Sequence, residues 1–287
     1  MQSSLLMKTH FIRVFVIGAL AAILIFLSPL SVFLKIPFVS IKNAALRALN
    51  IHQYSLGSMN GVRLKIMDDY QACCMEYSGE SVWNPTKKPP VRNYDSDIDS
   101  VALALKWPSM EHKYEHNNYQ EFIRRDDVDG SKFWLDIEVQ SDFENLSTQQ
   151  KTELEEYRRT HPMTKESLLG FKNQNREKSD TKYIYRGIDP ISGLKMISLS
   201  GPAADDPRGD NYSIYWLESA EGKTATRIEC KNGKYVSKLE PTKKCVQYFL
   251  LPELHAQVKV YYHENLLDQW SDIERKSRDF VLGLRAN

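Results

Sequence analysis

No aspartate or glutamate occurs before Asp68 in this 287-residue chain, although the whole carries 38 Lys+Arg and 37 Asp+Glu. The first fifty residues hold five cations, Lys8, Arg13, Lys35, Lys42 and Arg47; the other 237 hold 33 basic and 37 acidic groups. The near-neutral total of +1 therefore joins a basic, acid-free leader to a body of net −4. That distribution excludes a globally basic nucleic-acid binder, whose cations would crowd the folded domain. Glycine is sparse, at 13, and the local signatures of common enzymes are missing. There is no G-x-S-x-G to hold a nucleophilic serine on a strained turn. Nor is there H-E-x-x-H for zinc, G-x-x-x-x-G-K-[ST] for phosphate, or G-x-G-x-x-G for a dinucleotide. The expectation is a protein that is not an enzyme and takes no cofactor.

Charge is also missing from Val14 to Leu34, 21 consecutive residues dominated by Val, Ile, Leu, Phe and Ala. At 1.5 Å per residue such a run crosses a hydrocarbon core of about 30 Å. Pro29 lies within it, which transmembrane helices tolerate where neighbouring groups satisfy the freed carbonyl. A cleaved signal has a shorter apolar stretch of about 7–15 residues and an A-x-A type site, and Ser-Val-Phe-Leu-Lys-Ile-Pro offers none. No cysteine precedes Cys73, so a lipoprotein signal is absent too. Residues 1–35 are thus read as an N-terminal segment with an uncleaved transmembrane anchor, a cleaved signal or a buried core helix being the alternatives. Cations flank the span on both sides, so the positive-inside count does not orient it.

Cysteine bears on the compartment. Cys230 and Cys245 bracket a largely polar segment of 14 residues that includes Asn232-Gly233, a hairpin turn signal. A disulfide there would close a loop worth about 3 kcal/mol and would persist only in an oxidising compartment. Two reduced core cysteines are the alternative reading. With the bridge, the body lies in a bacterial periplasm, held at the inner membrane by a single pass. Cys73-Cys74 are open to three readings: a vicinal disulfide, two buried thiols, or partners for the other pair.

The fold class expected is α+β: the N-terminal transmembrane helix, then a β-rich antiparallel body with a packed C-terminal helix. Residues 36–60 read as a juxtamembrane connector, 61–146 as a first β-rich half, 147–180 as a helical or linker segment, and 181–287 as an antiparallel sheet with a final helix. Val62 to Met67 and Lys132 to Val139 alternate apolar and polar residues as strands do, and Ile98 onward reads as a strand stopped at Pro108, which has no amide hydrogen for the ladder. Strands then follow at Lys182 to Ile188, Leu194 to Leu199, Tyr212 to Leu217, Ala225 to Cys230, Cys245 to Leu250 and Gln257 to Tyr262. Leu266, Leu267, Trp270, Ile273, Phe280, Val281 and Leu284 form one face of a helix that Asn265 would cap.

Weaker constellations have bland explanations beside their chemical ones. His112 and His116 could share a helix face and ligate zinc, yet solvated histidines in a polar loop account for them. Asp95, Asp97 and Asp99, and Asp126, Asp127 and Asp129, alternate as calcium ligands do, but neither set completes the twelve-residue loop. Asp205 to Asp210 reads as a turn. Cys73 or Cys74 could act as a catalytic thiol with His112, His116 or His255 only if an activating partner lay nearby. No metal site is expected.

The run Val101-Ala-Leu-Ala-Leu-Lys-Trp-Pro-Ser-Met110, Cys230, Cys245 and Leu266-Leu267-x-x-Trp270-x-x-Ile273 cover under a fifth of the body. In them, with the anchor, the chain resembles the membrane-anchored periplasmic proteins encoded beside bacterial type VI secretion effectors. The resemblance implies an immunity protein that neutralises a secreted effector toxin by protein–protein interaction. It carries over no functional residue. Trp83, Tyr94, Trp107, Tyr114 and Tyr119 lie in polar stretches where they could anchor a partner. A cell-envelope scaffold or assembly factor, and less so an envelope hydrolase, are the other classes compatible with an anchored domain.

Overall fold

A computed structural model describes residues 52–79, 91–116, 118–123, 133–141, 182–201, 212–218, 224–231 and 244–286. The expected anchor over 14–34, the segment 147–180, Trp83, the acidic runs at 126–129 and 205–210, and the Asn232-Gly233 turn lie outside them. Among the described residues no helix is long and apolar enough to cross a membrane.

The body opens with a hairpin, β1 (Tyr54–Met59) against β2 (Val62–Met67). Asn60 and Gly61 turn it with φ of 50° and 82°, the left-handed pair that a two-residue hairpin demands. The connector expected over 36–60 therefore gives up its last residues to a strand. Gly57 disguised it: a Cβ there would meet the Ile98 side chain and the Ser96 carbonyl at 2.6 Å, so glycine marks close approach instead of a loop.

Among the described residues, nine strands make the main sheet. They are β3 (Gln71–Tyr77), β4 (Ile98–Lys106), β5 (Trp134–Ser141), β6 (Lys182–Ile188), β7 (Lys195–Ser200), β8 (Tyr212–Glu218), β9 (Thr224–Lys231), β10 (Lys244–Leu251) and β11 (Ala256–His263). All neighbours are antiparallel, in the order β3-β4-β5-β11-β10-β9-β8-β7-β6. The early and late strands are thus two meanders fused along one seam, β5 with β11, where Val139 faces Val258 and Ile137 faces Val260. A short helix, α1 (Tyr119–Ile123), precedes β5, and α2 (Trp270–Gly283) follows β11.

Period-two alternation assigns the faces. Val101, Leu103 and Leu105 of β4, Leu135, Ile137 and Val139 of β5, and Val258 and Val260 of β11 are buried in one core with Ile273 and Val281 of α2. Each fully buried aliphatic contributes about 1.5–3 kcal/mol, so α2 is a principal stabiliser of the sheet. Its entry differs from expectation. Glu264–Gln269 form a 3-10 turn, and His263 caps it, its Nδ1 accepting from the Asn265 amide at 3.2 Å. Asn265 is the donor in that contact, so the capping role passes to His263.

Cys230 and Cys245 sit directly opposite one another on β9 and β10 and form a disulfide, both side chains buried. Cys73 is disulfide-bonded as well, which removes it as a catalytic thiol.

Candidate functional site

The face of the sheet turned away from α2 carries the site. On β5 the apolar residues Leu135, Ile137 and Val139 go to the core, so Asp136, Glu138 and Gln140 project to the other side. Register places Lys259 of β11 opposite Glu138 and Tyr261 opposite Asp136. On β4 the corresponding positions are Ser100, Ala102 and Ala104, and Glu76 of β3 pairs with Ser100.

Two apolar clusters bound this face. At one end Phe122 of α1 meets Trp134 edge-on, ring centroids 5.2 Å apart, over Ala104. At the other, Tyr183, Ile197, Leu199, Ile214 and Trp216 are buried together. Between them the small side chains of Ala72, Ser100 and Ala102 leave a hollow of about 380 Å³, walled by Glu76, Asp136, Glu138, Lys244 and Tyr261.

The ionisable groups here are engaged with one another. Glu138 accepts from Lys259 Nζ through Oε1 and from the Tyr261 hydroxyl through Oε2, each at 3.1 Å. Ser100 Oγ donates to Glu76 Oε2 at 3.0 Å. Burial, and then the negative charge of Glu138, pushes the Tyr261 phenol well above its usual range, so it stays a donor at any physiological pH. Further along the same face Arg227 lies over the Tyr248 ring at 4.6 Å and 3.4 Å from Glu229.

Paired carboxylates are the raw material of general acid–base chemistry, which needs one carboxyl free to give or take a proton. Glu138 has both oxygens occupied by donors, an arrangement that fixes a carboxylate in place. What the hollow offers is a mixed-charge, tyrosine-bearing surface carried on strands.

The structure scatters the residues singled out in the sequence. Trp107 is core, 5% exposed, its Nε1 donating to Gln269 Oε1 at 2.8 Å, so it is no surface anchor. Tyr94 is half-buried, with Arg63 near its ring. Tyr114 and Tyr119 do come together, stacked at 5.2 Å, with Tyr119 exposed. His112 and His116 lie in a turn, not on a helix. His112 Nδ1 accepts from the Tyr114 amide at 3.2 Å, and His116 Nδ1 faces Glu111 at 3.5 Å. Among the described residues no group of three or more His, Cys, Asp or Glu is placed to hold a metal ion. Asp97 accepts from Ser58 and Asp99 from Ser78, while the Asp95 amide donates to Asn93, so only Asp95 lies in the expected turn, Asp97 bridging to Ser58 and Asp99 already on β4.

Glu76, Asp136, Glu138, Lys259 and Tyr261 were not singled out in the sequence. Alternation along β5 marks Asp136 and Glu138 as the outer face, but nothing local says that β11 lies alongside.

No protein-family model matches the chain, and no curated protein matches it. Two solved structures resemble it. An immunity protein of the Stenotrophomonas maltophilia type IV secretion system superposes with a TM-score of 0.47 at 14% identity, covering 83% of this chain and 97% of that one. The iron-regulated outer membrane lipoprotein FrpD of Neisseria meningitidis gives a TM-score of 0.38 at 14% identity, covering 82% and 93%.

Proposed function

We propose that this protein is a membrane-anchored binding protein of the bacterial periplasm that neutralises a secreted toxin by covering it, without catalysis. The observation that carries the reading is the pairing of Glu138 with Lys259 and Tyr261 on the open sheet face. Side chains held by mutual contacts on strands lose little conformational freedom when a partner arrives, which favours binding. The buried Cys230–Cys245 disulfide supports an oxidising compartment, and the 21-residue uncharged run supports anchorage at the inner membrane.

The test is protection. The product of the neighbouring gene is directed to the periplasm with and without this protein, and survival is counted. Rescue by the intact chain, lost when Glu138 and Asp136 are both replaced by Lys in a protein of unchanged melting temperature, supports the proposal. Equal killing with and without the protein, or no killing at all, overturns it.

A further inference from the structure

We draw no further inference here: the strongest candidate, the Glu111, Glu115 and His116 side-chain cluster in the loop ahead of α1, belongs to no group able to hold a metal ion among the described residues.

Discussion

Gln247 on β10 donates through Nε2 to the Glu274 carboxylate on α2 at 2.9 Å, across the seam between sheet and helix. Its own carbonyl oxygen accepts from the buried Tyr262 hydroxyl at 3.2 Å, and Thr226 also donates to Glu274. This chain of contacts sets α2 at one position on an otherwise apolar surface. Buried polar groups become costly when a partner is withdrawn.

Replacing Gln247 with Leu therefore destabilises the body by about 1–3 kcal/mol, because the Tyr262 hydroxyl and Glu274 both lose a partner. Adding Tyr262→Phe to that variant costs less than the two single changes together, since the stranded hydroxyl is gone. Urea unfolding of the four proteins measures the coupling, and strictly additive costs would contradict the network.

The Cys230–Cys245 disulfide closes a 15-residue separation, for which loop-closure entropy gives about 3 kcal/mol. Cys230→Ala with Cys245→Ala lowers the denaturant midpoint accordingly. Thiol labelling of the oxidised wild-type protein leaves Cys230 and Cys245 unmodified. Ready labelling before unfolding would sink the compartment argument built on it.

High pH should unfold the body cooperatively. Burial, followed by Glu274, pushes the Tyr262 phenol up, and burial followed by Glu138 does the same for Tyr261. A group whose folded pKa exceeds its unfolded value stabilises fully below the unfolded pKa of about 10 and progressively less above it. Stability thus falls as pH rises beyond that point. Tyrosinate absorbance should show these phenols appearing together with the loss of circular dichroism, and Tyr262→Phe should flatten the alkaline decline.

The hollow can be filled from its floor. Ala102→Arg sends a long cation into space walled by Glu76, Asp136 and Glu138, with a stability change of about 0.5 kcal/mol or less for a surface-facing position. Protection in the toxin assay should drop while the melting curve holds. Full protection would move the binding surface elsewhere.

A reporter fused after Asn287 should be active only outside the cytoplasm, and the fusion should resist carbonate extraction from membranes. Deleting residues 14–34 should release it from the membrane fraction.

Much of the sheet is legible because its strands alternate cleanly: the pattern gives Lys182–Ile188 its observed ends, and β7 to β11 theirs to within one residue. β3 was not, because its register shifts between Gln71 and Met75 break the period-two pattern. β1 hid behind Gly57. The site was illegible for a different reason. Glu138 and Lys259 are 121 residues apart in sequence, and a strand's outer face reads as solvated polar surface until its neighbour is known. The alternation showed which way Glu138 points, but only the β5–β11 seam shows what it meets.

The last described residues run beside the first hairpin: the Lys65 amide donates to the Leu284 carbonyl and the Ala286 amide to the Arg63 carbonyl, both at 2.9 Å. The fold is thereby buckled like a belt, its two ends fastened to each other. Shortening the strip after α2 by a few residues should therefore loosen the β1–β2 hairpin from a site more than two hundred residues away in sequence.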